Sequence, residues 1–150
     1  MTSFLRVRLG GATVGLPAMA VQQIVRAVAI MPLPGAPPIL EGAVNVRGAV
    51  VGVVDVRARL GFPARPLDPE QFLVLVTAGS RTLAIRVDEV DDLVDVSDAD
   101  VHAQSELWPA LRQLSGLAAR PDGVLAIYDV EAFVSQAEAE ALDAALAARP

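Results

Sequence analysis

The 150-residue chain has no cysteine and no lysine; all twelve basic side chains are arginine. Without cysteine, disulfides and thiolate-bound metals are excluded, which fits a reducing compartment. One histidine, His102, is present; it lacks the companions that a metal site or a catalytic dyad needs and reads as a solvated loop residue. No run of five or more basic residues occurs, and eighteen acids leave a formal net charge of −6. That gives no electrostatic footprint for nucleic acid. The longest charge-free stretch, Leu9 to Val25, holds four glycines or prolines and two glutamines, unlike a span of about 20 apolar residues. Met1-Thr2-Ser3-Phe4 lacks the basic start of a signal peptide. A soluble, cytoplasmic protein without nucleic-acid partner or direct membrane insertion is expected. No Gly-Lys-Ser/Thr follows the glycines, so no phosphate-binding loop and no cofactor are expected.

What is present is a unit used twice. Gly42 to Val46, then Arg47-Gly48, Ala49 to Val54 and Asp55 are echoed by Gly116-Leu117, Arg120-Pro121-Asp122-Gly123, Val124 to Tyr128 and Asp129. Each copy reads as strand, hairpin with an arginine before a glycine, strand, and an aspartate opening a helix. The copies even share Val-x-Ala-x-apolar afterwards, at Val56 to Leu60 and Val130 to Val134. Such repetition implies two similar β-modules around one core, a scaffold for binding surfaces more than for a catalytic cleft. Capping accounts for Asp55 and Asp129, leaving no acid–base pair, nucleophile or metal set.

The pattern along the chain is mostly short strands. Phe4 to Leu9 and Ala12 to Leu16 flank a Gly10-Gly11 hairpin. Pro17 opens a predicted short helix with Val21, Ile24 and Val25 on one face, and Val28 to Leu33 reads as another strand. Prolines 32, 34, 37 and 38 make a stiff corner. Leu40 to Val46 and Val50 to Val54 form the first repeated hairpin, and Gly61 ends the helix that Asp55 caps. Phe62 to Glu70, with three prolines, separates the halves as a short rigid linker. Phe72 to Thr77 and Thr82 to Val87 pair about Gly79, and Val90 to Val96 is strand-like. Residues 97–113 are irregular, with Trp108 and Leu111 as anchors. Leu114 to Ala119 and Val124 to Tyr128 close the sheet. A helix is expected over Val130 to Ala148, its buried stripe being Val130, Phe133, Val134, Ala137, Ala141 and Ala145. Nine or ten strands with glycine turns point to small antiparallel barrels.

The series Leu9-Gly10-Gly11, Val21-Gln22-Gln23-Ile24, Pro34, Ala36-Pro37, Gly42 to Gly48 and Val54-Asp55-Val56-Arg57, followed by Val87-Asp88-Glu89-Val90, Gly116-Leu117 and Val124 to Asp129, resembles the CheW-like domain. The resemblance covers roughly residues 4–134. It implies a mainly β fold: two SH3-like five-stranded β-barrel subdomains around a shared hydrophobic core, with short helices and a C-terminal helix. It implies one domain over 1–150 with interleaved subdomains, the approximate halves being 1–65 and 66–134 and the helix 130–148. It further implies a non-enzymatic adaptor joining the cytoplasmic tip of a chemoreceptor to the regulatory domain of a CheA-type histidine kinase. Carried over by position, Val21, Ile24, Asn45, Arg47 and Gly48 face the receptor. Arg86, Val87 and Asp88 fall at the strand end assigned to the kinase.

Four departures mark a divergent member. Gln23 stands where the family usually has Glu, Gly52 where it has Pro, Arg86 interrupts an apolar run, and a Pro-rich segment near residue 104 is missing. Two other readings stay open: a kinase-binding module that has lost receptor binding, and a small-ligand β-barrel. Apolar barrel edges also make weak self-association an expectation.

Overall fold

The computed structural model describes residues 1–103 and 114–148. Trp108 and Leu111 lie outside the described residues. Eleven strands are seen: β1 (Thr2–Leu9), β2 (Ala12–Pro17), β3 (Val21–Arg26), β4 (Leu40–Val46), β5 (Ala49–Val54), β6 (Phe72–Ala78), β7 (Arg81–Val87), β8 (Glu89–Val96), β9 (Val101–Ala103), β10 (Leu114–Arg120) and β11 (Gly123–Tyr128). Among the described residues two α-helices accompany them, α1 (Val56–Leu60) and α2 (Gln136–Ala148). No described helix is long and apolar enough to cross a membrane.

The strands form two sheets. The first runs β8-β1-β2-β11-β10-β9 and the second β3-β6-β7-β5-β4. Each contains one parallel pair, β2 with β11 and β5 with β7. The second sheet has the expected five strands. The first has a sixth, because Val101–Ala103, in the segment expected to be irregular, pairs with β10; His102 is exposed there. Both sheets draw strands from both sides of the 62–70 segment, so the chain passes between sheets twice: at Pro17–Ala20 and at Asp88, between β7 and β8.

Three apolar clusters explain the burial pattern. Phe4, Val94, Val96, Ala118, Leu125 and Ile127 fill the first barrel. Val44, Val46, Val51, Val53, Leu73, Leu75 and Ala84 fill the second. The largest joins them: Leu5, Val7, Val14 and Leu16 from one side meet Val54, Val74, Val76, Ile85 and Val87 from the other. Side chains alternate across a strand, so Leu73 and Leu75 enter the barrel while Val74 and Val76 face the shared core. A strand buried on both faces must be apolar throughout, which accounts for the run Phe72 to Val76.

Three local expectations are corrected. Residues 21–26 form a strand, not a helix. After Pro17 only Ala18–Ala20 make a 3-10 turn. The β-branched sequence Val21-Gln-Gln-Ile-Val-Arg then alternates half-buried and exposed positions while pairing with β6. Residues 28–33 are not a strand; only Met31 bridges to Ala43. The C-terminal helix is not continuous from Val130. Val130–Phe133 form a 3-10 turn capped by Asp129, and α2 restarts with a reciprocal cap: the Ser135 hydroxyl accepts from Glu138 N–H and the Glu138 carboxylate accepts from Ser135 N–H. Ser-x-x-Glu is the sequence signature of that box. The restart moves the buried positions from Ala137 and Ala141 to Ala139 and Leu142, while Ala145 is buried as expected.

Gly52 explains how α2 docks. A Cβ placed there would lie 2.9 Å from Leu142 Cδ1 and 3.0 Å from Cδ2, and Leu142 is fully buried in the shared core. The absence of a side chain at Gly52 leaves room for the helix.

Candidate docking surface and the barrel junction

Val46 pairs with Ala49 across β4 and β5, leaving Arg47-Gly48 as a two-residue turn. Both residues have positive φ, +53° and +89°, the turn whose twist matches paired strands. Asn45 ties it, its side-chain oxygen accepting from Gly48 N–H at 2.8 Å. Arginine in this backbone region costs about 1–3 kcal/mol, and Arg47 is the one non-glycine residue with positive φ among those described. Its side chain is exposed and has no hydrogen bond or ion pair among the described residues.

Val21 and Ile24 lie on β3, opposite Val76 and Val74 of β6. Ile24 is 40% exposed and Val21 half-buried. β3 and β4 are the two end strands of the second sheet. No hydrogen bond joins Gln23 to Arg47 among the described residues.

Arg86, Val87 and Asp88 are turned inward. Arg86 is buried; its Nε donates to both Glu41 carboxylate oxygens at 3.1 Å and its Nη2 to Oε1 at 2.6 Å. It also donates to the Gln71 side-chain oxygen and to Arg65 O, each at 2.9 Å. A charge in an apolar strand needs such a partner, and Glu41 on β4, separated from β7 by β5 in the same sheet, supplies it. Val87 is fully buried. The side chains of Arg86 and Val87 are therefore engaged inside the protein rather than offered to a partner.

Asp88 accepts from Gly10 N–H at 2.6 Å, Arg65 at 2.7 Å, Gln71 Nε2 at 2.9 Å, and Arg57. Burial by itself would raise its pKa, but the bonds from Gly10, Gln71, Arg57 and Arg65 outweigh it and hold the carboxyl well below the usual range. Arg57 also reaches Pro63 O at 2.9 Å. Gln71, 1% exposed, accepts from Asp68 N–H as well as from Arg86. It thus links the Glu41–Arg86 pair to Asp88. Sequence reasoning passed over Arg57, Arg65, Gln71 and Glu41. The available signal was Arg86 itself, since a charge amid a buried run requires an acid elsewhere in the chain.

A cleft of about 700 Å³ opens beside this junction, lined by Arg8, Arg26, Arg65, Glu70, Asp88 and Glu89 among others. Most of those charges already pair, Arg8 with Asp91 and Glu89, Arg65 with Asp88 and Asp68. Arg26 stacks on Phe72, 4.4 Å from the ring centroid. Among the described residues no three or more His, Asp or Glu side chains are placed to hold a metal ion.

Residues 3–138 match the CheW-like domain. The chain is 30% identical over 138 residues to a probable chemotaxis protein CheW of Rhizobium etli, covering 89% of this chain and 88% of that one. Against the chemotaxis protein CheW of Klebsiella aerogenes it is 25% identical over 142 residues, 93% and 86% covered. The protein of the same description from Rhizobium meliloti is 35% identical over 89 residues, 59% of this chain and 57% of that one. In structure the chain resembles the scaffolding protein TtCheW from Thermoanaerobacter tengcongensis, with a TM-score of 0.82 over 91% of this chain and 94% of the other, at 20% identity. With twin SH3-like barrels packed on a shared core and a match over nearly its whole length, this chain belongs to the CheW-like domain family.

Proposed function

We propose that the protein is a non-enzymatic, cytoplasmic adaptor that couples the helical tip of a chemoreceptor to the regulatory domain of a CheA-type histidine kinase. The observation that carries this reading is Arg47, held at φ +53° on an exposed hairpin tip without a hydrogen-bond or ion-pair partner among the described residues. A strained position kept without a contact among the described residues points to an external one. A guanidinium there offers five donors in a rigid fork, Asn45 and Gly48 set its aim, and Val21 and Ile24 supply the apolar part of the receptor surface. For the kinase, the end of β7 at Arg86, Val87 and Asp88 contributes through the shape it gives the junction, since its side chains are turned inward. The barrel interiors are filled by apolar side chains, which disfavours the small-ligand reading.

Titration with the isolated kinase regulatory domain and, separately, with a receptor-tip helical hairpin tests the proposal. Arg47→Gly should weaken receptor binding tenfold or more while leaving stability equal or higher, because glycine relieves the turn. Unchanged binding would show that the hairpin is no contact. Binding to the kinase alone would favour a module that has lost its receptor, as the neutral Gln23 suggests; binding to neither would end the adaptor reading.

A further inference from the structure

The two passages between the barrels are built differently. At Ala18–Ala20 the chain makes a bare 3-10 turn with no side-chain cap and no buried residue, and Met19 is fully exposed. At Asp88 the passage is held from four directions: Gly10 at the tip of the β1–β2 hairpin, Arg57 in α1, and Arg65 and Gln71 in the 62–71 segment. The Asp88 backbone N–H also donates to Arg8 O at 2.8 Å. Through Gln71 the same cluster continues to Arg86 and Glu41 in the second sheet.

Apolar contact across the shared core holds the barrels together, but burial is non-directional. Sliding or tilting one Val- and Leu-rich face on another exchanges similar contacts. Hydrogen bonds that converge on one carboxylate tolerate no such tilt, since their strength falls steeply with distance and angle. A half-satisfied buried cluster is costly, so its members hold or release together.

We propose that the cluster centred on Asp88 is a clasp fixing the angle between the two barrels. Gln71 is its linchpin, residues 62–71 are the strap that carries it, and Ala18–Ala20 serve as the hinge opposite. The 62–71 segment is then a positioning element rather than a linker, and Asp88, Gln71 and Arg57 are positioning residues for any surface that spans both barrels.

The absence of native cysteine permits a direct test. Spin labels at Ser80→Cys, on the β6–β7 turn, and Val124→Cys, on β11, report the distance between barrels by pulsed electron resonance. The parent should give one narrow distance distribution. Asp88→Ala and Gln71→Leu should each at least double its width. Val44→Ala, which removes apolar contact inside the second barrel, should leave it narrow. If Asp88→Ala does not fold, Gln71→Leu decides alone. A folded clasp variant with the parent's width would overturn the proposal, and so would equal broadening by Val44→Ala.

Discussion

At the junction, Asp88 is met by two arginines, a glutamine and a backbone amide, and 12% of its side chain is exposed. Along β8, Asp92 meets Arg6 through two hydrogen bonds of 2.9 and 3.0 Å, and 52% of its side chain is in water. Both are aspartates bound by arginine, but Asp88 has more donors and is far more deeply buried. In water an aspartate that loses its arginine is resolvated at little cost; inside, the loss strands a charge. The β8 carboxylates, Glu89, Asp91, Asp92 and Asp95, instead line an end strand of the first sheet, where charge discourages pairing with another chain.

The sharpest way to break this comparison is to remove both aspartates in turn. Asp88→Ala should cost about 3–5 kcal/mol, as breaking a buried pair leaves Arg57 without its partner, measured by urea unfolding. A loss under about 1 kcal/mol would place Asp88 with the surface pairs.

Acid should separate the two sites further. The folded-state pKa of Asp88 lies below its unfolded value, so the native protein binds fewer protons. Its contribution is complete above the unfolded carboxylate pKa of about 4 and drains away as pH falls through that value toward the native one. The urea midpoint of the parent should fall on acidification below about pH 4 more steeply than that of Asp88→Asn. Parallel curves would deny Asp88 this role.

An apolar contact of equal depth gives the next scale. Gly52→Val should destabilise by about 1–3 kcal/mol through overpacking against Leu142. Adding Leu142→Ala should return part of that loss, giving a coupling that simple addition would not; strictly additive losses would show that α2 does not rest on Gly52.

Smallest should be Asp92→Ala, with a loss of about 0–1 kcal/mol that shrinks further in salt. A loss matching Asp88→Ala would erase the distinction.

Much of the architecture was legible in the chain. Glycine-punctuated apolar runs predicted the strands and most hairpins, and the repeated aspartates appeared as helix or turn caps at Asp55 and Asp129. The failures were local. Val21 to Arg26 carries apolar residues at spacings that serve helix or strand, and pairing with β6 decided for strand. In α2, Ala145 was placed correctly, but Ala137 and Ala141 were misread because the helix was started at Val130, although Ser135 and Glu138 announce a fresh start. At the candidate site, Arg47 and Gly48 stood out because a turn restricts its residues locally. Arg86 and Asp88 stood out too, yet nothing in their neighbours along the chain showed that they face inward.

By itself the sequence determined the β-rich class, the turn positions, the lack of disulfides and the family, since each depends on residue type and short spacing. Only the tertiary structure decided which strands share a sheet, where α2 rests, and that Glu41, Arg57, Arg65, Gln71 and Asp88 converge. Those residues lie up to 47 positions apart, and the value of a charge is set by the dielectric and partners that folding brings to it, which no local pattern records.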